Sequence, residues 1–354
     1  MNVLVTGGAG YIGSHTVKDL INSGHNVIVL DNLSNGHRQA VDRRARFIEG
    51  NSGDEKLVHE IFQSYKIESV LHFAANIEVA ESVIDPQKYY RNNFVNTLKL
   101  LNVMCSDGVK KFVFSSTAAV YGNPQSTPIE ERAELSPINP YGRSKMMVEM
   151  ALSDFNRAYG LGYVILRYFN VAGASPDGSI GEDHHPESHL IPRILQAAND
   201  PLEKVRIFGT DYSTPDGTCI RDYIHVVDLA RAHVLALEKL KLNQGEVFNL
   251  GSENGFSVRD VVAACEKVTG FELKVVEESR REGDPAVLVA SSKKIRETLG
   301  WERKFPQLEM MIEHAWNWHR RRPQGYAGEA LSDEALTKRH SCSTIKRAPR
   351  LKVM

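Results

Sequence analysis

Through the first half of the chain, short apolar runs alternate with stretches of helical period. Val3–Val5, Val27–Leu30 ending at Asp31, Arg46–Glu49, Ser69–Phe73, Lys111–Phe114 and Tyr163–Arg167 read as strands. They are near-continuously apolar rather than alternating, which marks strands covered on both faces. Tyr11–Asn22 has the spacing of an amphipathic helix between the first two. The pattern predicts a parallel sheet with helices on both sides. After Asn170 the texture changes. Gly173–Pro186, rich in Gly, Pro, Asp and Ser, reads as a loop. Glu246–Leu250 reads as a strand rejoining the sheet, and Ser257 to about Trp318 as a small mixed lobe. From about Tyr326 the chain is polar and charged without apolar periodicity, the composition of a disordered or non-native tail. No internal repeat is visible.

These readings give an α/β fold class: a Rossmann-type doubly wound parallel sheet with a smaller mixed α/β substrate lobe. Residues 1–170 form the expected dinucleotide-binding domain, with a returning segment at about 222–250. Residues 171–221 and 251–326 form the second lobe, and 327–354 the tail.

Composition narrows the partners. A chain of 354 residues can bury a large core. Its formal net charge is -1 with basic residues scattered, which argues against nucleic acid. It has no apolar run of about 18 residues, so no membrane span is expected. The first strand begins at Asn2 without a charged leader, so no signal peptide is expected. The four cysteines, Cys105, Cys219, Cys265 and Cys342, have no metal-type spacing, and reduced thiols in the cytoplasm are expected. The adjacent His184 and His185 lack a matching second pair, so no metal is expected.

The chemistry sits at strand ends. Gly7-Gly8-Ala9-Gly10-Tyr11-Ile12-Gly13 follows the first strand and opens the first helix. Gly7, Gly10 and Gly13 let the backbone approach a pyrophosphate, which the helix N-terminus then meets with N–H groups. Asp31, at the end of the second strand, is placed to bond a ribose 2′-OH and repel a 2′-phosphate, which favours NAD over NADP. Ser115, Ser116 and Thr117 follow the fifth strand, where a hydroxyl can hold a substrate alcohol. Tyr141 and Lys145 are i, i+4 and share one helix face. Either feature alone is commonplace, since a lone Tyr-x-x-x-Lys is usually surface and a lone hydroxyl usually turns a chain. Together with the glycine loop they suggest an oxidoreductase-type site. Tyr141 could act as a base near neutral pH only if its pKa of about 10 fell by about 3 units, which needs about 4 kcal/mol. Lys145 and a cationic nicotinamide could supply that in a dry cleft. The clusters Arg221–His225 and Arg280–Asp284 suit phosphate or a solvated surface equally well.

At this point the motifs resemble the extended short-chain dehydrogenase/reductase superfamily and, within it, the UDP-glucose 4-epimerase family. The markers run in order: VTGGAGYIGSHT, LDNLSNG, HFAA, ESV, PQKYYRNN, SSTAAVYG, NPYGRSK, LRYFNVAGA, IFGTDYSTPDGTCIRDYIHV, FNLGS, REGDPA and RRPQGY. They span roughly residues 2–326. The resemblance implies a tightly held NAD and reversible C4 inversion of a UDP-sugar through a 4-keto intermediate with transient NADH. Tyr141 would exchange the 4-OH proton, Thr117 would bond the same oxygen, and Lys145 would bind the nicotinamide ribose and lower the Tyr141 pKa. Gly7, Gly10, Tyr11, Ile12, Gly13, Asp31, Asn32, Leu33, Ser34, Asn35, Gly36, Asn51, Ser52, Phe73, Ala74, Ala75, Asn92, Ser115 and Tyr168 would hold NAD with Tyr141 and Lys145. Phe169, Asn170, His189, Leu190, Phe208, Arg221, Tyr223, Arg281, Asp284 and Leu288 would line the UDP-sugar with Thr117 and Tyr141. Helices after Asp85 and from Tyr141 would form a homodimer interface.

The chain also departs from the family. Asn51-Ser52 stands where familiar members have Asp-Ile, Ile77 replaces a lysine, and His189 replaces an asparagine. Related dehydratases and decarboxylases carry a carboxylate just after the strand-end threonine. Here those positions are Ala118 and Ala119. A UDP-xylose/UDP-arabinose or UDP-N-acetylhexosamine 4-epimerase stays open, as does, from another class, an inactive NAD-sensing regulator, although Thr117, Tyr141 and Lys145 are intact.

Overall fold

The computed structural model describes residues 1–328 and 330 apart from 201, 282 and 283. The first half runs β1 (Asn2–Thr6), α1 (Tyr11–Asn22), β2 (Asn26–Asp31), β3 (Arg46–Glu49), α2 (Glu55–Tyr65), β4 (Ser69–His72), α3 (Val79–Ile84), α4 (Pro86–Tyr89), α5 (Asn96–Ser106), β5 (Lys111–Thr117), α6 (Pro140–Tyr159) and β6 (Gly162–Tyr168). The second half runs β7 (Asn170–Ala172), α7 (Leu190–Asn199), β8 (Val205–Phe208), β9 (Ile220–His225), α8 (Val226–Lys239), β10 (Gly245–Leu250), β11 (Gly255–Ser257), α9 (Val258–Thr269), β12 (Val275–Glu278), β13 (Val287–Leu288), α10 (Lys293–Leu299) and α11 (Leu308–Arg321).

Among the described residues, seven strands form one parallel sheet in the order β10-β6-β5-β4-β1-β2-β3. The order reverses between β1 and β4, the switch point where such sheets bind ligands. One face buries Val3, Val5, Val17, Leu229 and Leu237, so α1 and α8 cover it. The other buries Leu4, Val58, Leu100 and Val148, so α2, α5 and α6 cover it. Both faces are thus apolar, as the strands' unbroken apolar runs require.

A second sheet centres on β9, which pairs with β7, β11 and β13. A separate core of Ile191, Leu195, Tyr223, Val261, Ile312 and Trp316 lies beneath it. β9 therefore belongs to the second sheet, and the chain returns to the main one with α8 and β10.

Several boundaries differ from expectation. β5 runs on through Ser115, Ser116 and Thr117, so these hydroxyls end the strand rather than follow it. Phe73 lies just beyond β4. Between α4 and α5, Tyr90–Val95 winds as a π-helix, a local widening that a 3.6-residue period does not announce. The expected tail begins at 327, but 329 and 331–354 lie outside the described residues, as does Cys342. Cys105, Cys219 and Cys265 are free thiols. Among the described residues no helix is long and apolar enough to cross a membrane.

Candidate active site

The glycine loop packs against the end of β4. A Cβ on Gly7 would meet the Ala74 amide nitrogen at 2.5 Å, and one on Gly13 the Gly7 carbonyl oxygen at 2.2 Å. At Gly10 a Cβ would meet only the Gly7 oxygen, at 3.4 Å, and Gly10 lines the pocket. Gly10 is also the N-cap of α1 and offers no side-chain cap. The first-turn amides are thereby left for an anion. Beside them, the Ala9 and Leu33 amides each donate to the Asp31 carboxylate at 2.9 Å. Burial raises the Asp31 pKa against the pull of those two bonds. This cradle fits a dinucleotide.

The pocket is deep and runs along the carboxyl ends of the strands. Gly7, Gly10, Tyr11, Ile12, Gly13, Asp31, Asn32, Ser34, Asn35, Gly36, Asn51, Ser52, Phe73, Ala74, Ala75, Asn92 and Tyr168 line it, and so do Thr117, Tyr141, Phe169, Asn170, His189, Leu190 and Tyr223. Leu33 instead packs against the main core, in a left-handed conformation at φ 56°. Tyr11 reaches across the pocket, and its hydroxyl donates to the Gly173 carbonyl at 2.7 Å.

The reactive groups meet at the end of β5. Asn139 caps α6 by accepting from the Gly142 amide at 2.8 Å, and Pro140 occupies the first turn. A Cβ on Gly142 would meet the Ala119 carbonyl oxygen at 2.6 Å, so the helix start lies hard against the turn after β5. That contact brings the Tyr141 phenol to the Thr117 hydroxyl. One turn on, Lys145 Nζ donates to the Ser115 carbonyl at 2.9 Å. Ser115 Oγ and the Tyr168 hydroxyl are 2.6 Å apart. Ser116, on the opposite face of the strand, donates to Glu149, which also pairs with buried Arg167. Of the three hydroxyls, two face the pocket side and one anchors the wall behind it.

Burial pushes the Tyr141 pKa up to about 12, with the Thr117 hydroxyl pulling back and the Glu78 charge adding to the rise. Burial pushes Lys145 down to about 7 against the pull of Glu149. In the chain alone, desolvation thus outweighs the lowering of Tyr141 expected from Lys145.

Lys145 and Ser115 sit behind the lining rather than on it. Arg221 and Leu288 lie in the second sheet with Asp284 beside them, while Phe208 ends β8, which pairs with β12 in a separate two-stranded sheet, and meets Arg281. The Arg281 guanidinium lies 3.9 Å from the Phe208 ring centre, and Arg221 Nη2 is 3.3 Å from Asp284. Leu288 is half-buried in β13 and packs against the cluster containing Phe169 and Ala118.

Four residues of interest escaped sequence reasoning or entered only in part. Asn93, in the π-helix, bonds the Asn76 backbone and Ser144, tying that segment to α6. Glu182 and His184 line the pocket with His189, and Glu187 joins them. The ligand atoms of Glu182, His184, Glu187 and His189 lie within 4.8 Å of one another. The sequence signal is Glu-x-His-x-x-Glu-x-His, a spacing that the adjacent pair His184-His185 obscures. His185 points outward, its side chain 75% exposed, and pairs with Asp183. Burial works to lower the His184 pKa, but the two carboxylates bring it up to about 10.

Comparison with known proteins agrees with this geometry. A UDP-glucose 4-epimerase of Halalkalibacterium halodurans is 54% identical over 93% of this chain and 98% of that protein. The structure resembles UDP-glucose 4-epimerase from Bifidobacterium longum in complex with NAD+ and UDP, with TM-score 0.88 at 40% identity over 92% of this chain and 100% of that one. It also resembles the UDP-Glc/GlcNAc 4-epimerase of Campylobacter jejuni, with TM-score 0.79 at 45% identity over 90% and 99% of the two chains. Residues 3–251 match the NAD dependent epimerase/dehydratase family, and with the glycine cradle, Asp31 and the Thr117–Tyr141–Lys145 group in place, the chain belongs to that family.

Proposed function

We propose that this protein interconverts UDP-glucose and UDP-galactose by inverting C4 through a 4-keto sugar, with NAD held in the cradle between the glycine loop and Asp31. The observation that carries this reading is the meeting of Tyr141 and Thr117 at the end of β5, followed by Ala118 and Ala119 rather than a carboxylate. Eliminating water or losing CO₂ needs an acid beside the sugar, and proton exchange at one hydroxyl does not. NAD supplies the two-electron redox chemistry at C4. The first-turn amides of α1 would take its pyrophosphate and Asp31 its adenosine ribose. Tyr141 takes the 4-OH proton and returns it, while Thr117 fixes the same oxygen. Lys145 contributes positive charge beneath the phenol and a donor toward the nicotinamide ribose. Phe208, Arg221, Arg281 and Asp284 would hold the uridine diphosphate, with Phe169, Asn170, Leu190 and Tyr223 along the sugar.

The test is conversion of UDP-galactose to UDP-glucose by purified protein without added NAD, with mass spectrometry of the released nucleotide. Net conversion with bound NAD supports the reading. No conversion, or NADP as the bound nucleotide, overturns it.

The same reading divides the chain into a cofactor domain (1–170 with a returning segment at about 222–250) and a sugar-nucleotide lobe (171–221 and 251–326). It places the protein in the cytoplasm, as a homodimer through α4, α5 and α6. The exposed apolar side chains Met150 on α6 at 60%, Val95 just before α5 at 42% and Ile84, at the end of α3 beside α4, at 85% support such an interface. Analytical ultracentrifugation at micromolar concentration checks it, and a monomer there would refute it.

A further inference from the structure

We propose that Glu182, His184, Glu187 and His189 bind a divalent transition-metal cation, of which zinc is the type, on the wall of the pocket. The group offers two imidazole nitrogens and two carboxylates, a set suited to borderline cations. His184 Nδ1 lies 3.3 Å from Glu182 and 3.7 Å from Glu187. His189 Nδ1 lies 3.1 Å from Glu182 and 2.9 Å from Glu187. Metal–ligand bonds of about 2.0–2.2 Å in a tetrahedron place neighbouring ligands about 3.3–3.6 Å apart. The four distances, from 2.9 to 3.7 Å, bracket that spacing, so small side-chain adjustments at Glu187 and His189 would complete it.

Two further observations bear on a cation at this place. His184 Nδ1 is buried and has no hydrogen-bond partner, although it faces both carboxylates. The Glu182 and Glu187 side chains are only 6% and 4% exposed, so their oxygens are turned toward the two imidazoles and away from water. His189 Nδ1 meets Glu187 at 2.9 Å and Glu182 at 3.1 Å, so both imidazoles face both carboxylates across one small space. A metal seated in that space would engage the nitrogens of both imidazoles, including the His184 nitrogen that has no hydrogen-bond partner.

The ligands lie in the segment between Gly181 and the start of α7. The site would therefore fasten the loop that leads Leu190 and Pro192 onto the pocket wall. It uses no residue of the glycine loop, β5 or α6, so it does not depend on the proposed reaction.

The experiment is zinc titration by calorimetry after dialysis against a chelator, with cobalt(II) absorption as a second readout. The wild-type chain should bind one zinc per chain and give the strong visible bands of low-coordinate cobalt. Zinc should raise the melting temperature, since a ligand that binds only the folded chain stabilises it. Glu187→Gln and His184→Gln should each weaken zinc binding by more than the roughly 10–100-fold cost of an outer-sphere partner. His185→Ala should bind as wild type. Should one ligand variant fail to fold, the other and the wild-type cobalt spectrum still decide. No stoichiometric uptake by the wild type, the spectrum of hydrated cobalt, undiminished binding in a folded ligand variant, or loss in His185→Ala would each overturn the proposal.

Discussion

The two walls of the pocket are built by different means. The wall at the glycine loop is backbone: amides at the α1 N-terminus, carbonyls, and glycines that admit close approach. The opposite wall, from Glu182 to Pro192 and on to Tyr223, is side chains. A backbone wall reads any ligand with the right charge and shape, whereas a side-chain wall discriminates by what each residue can fill or bond. The first suits a cofactor shared by many reactions, and the second suits a sugar that must be told from its neighbours.

The sharpest way to break this contrast is at the junction of the walls. Tyr141→Phe keeps the packing and removes the proton carrier. Turnover should fall roughly 10²–10⁴-fold while bound NAD per chain stays constant. A turnover assay with nucleotide quantification checks both, and near wild-type turnover would remove Tyr141 from the mechanism.

Next is the side-chain wall. Leu288 packs against the Phe169 cluster, and Phe169 itself lines the pocket. A leucine there should admit an N-acetyl sugar poorly, giving UDP-galactose an advantage of roughly 10–200-fold over UDP-N-acetylgalactosamine. Leu288→Tyr should depress only the acetamido activity. Equal losses on both sugars would show that Leu288 does not face the 2-substituent.

The backbone wall is probed by Gly13→Ala. The new Cβ would meet the Gly7 carbonyl oxygen at 2.2 Å, so loop and helix must part. Overpacking of this kind costs about 1–3 kcal/mol and should show as lost NAD and a lower melting temperature. Retention of NAD at wild-type occupancy would refute the tight fit.

The smallest effect concerns Lys145. Burial lowers its pKa from 10.5 to about 7. Between those values the unfolded chain binds more protons than the folded one, so this group's contribution makes stability rise with pH across that window. Its cost is full below pH 7, where the amine is charged in both states. In cofactor-free protein Lys145→Met should therefore melt higher than wild type, most clearly near pH 7 and least above the unfolded value, while losing activity. Melting curves across pH check it, and a variant that melts lower near neutrality would show that the bond to the Ser115 carbonyl outweighs the burial cost.

The contrast also explains what the sequence made legible. Main-sheet strands and α1 were readable to within a few residues, because an apolar run between a glycine loop and an acid is a local signal. Three features were not. Ser115 and Thr117 were placed just after the fifth strand because its apolar run ends at Phe114, whereas pairing with β6 carries β5 on to Thr117. The π-helix at Tyr90–Val95 depends on Asn93 reaching Asn76 and Ser144, contacts invisible along the chain. The second sheet pairs β9 with three short strands from far apart in sequence, too brief to announce themselves.

The edge position of β10 bears on how the protein is made. β6 leaves the ribosome with one side unpaired, and its partner follows roughly 80 residues later, several seconds at usual rates of synthesis. Over the same interval α1 awaits α8, whose Leu229 and Leu237 share its core. The nascent cofactor half thus carries an open strand and an uncovered apolar face until residue 250 emerges. During that interval the growing chain exposes apolar surface open to aggregation, and slower translation there would prolong the exposure.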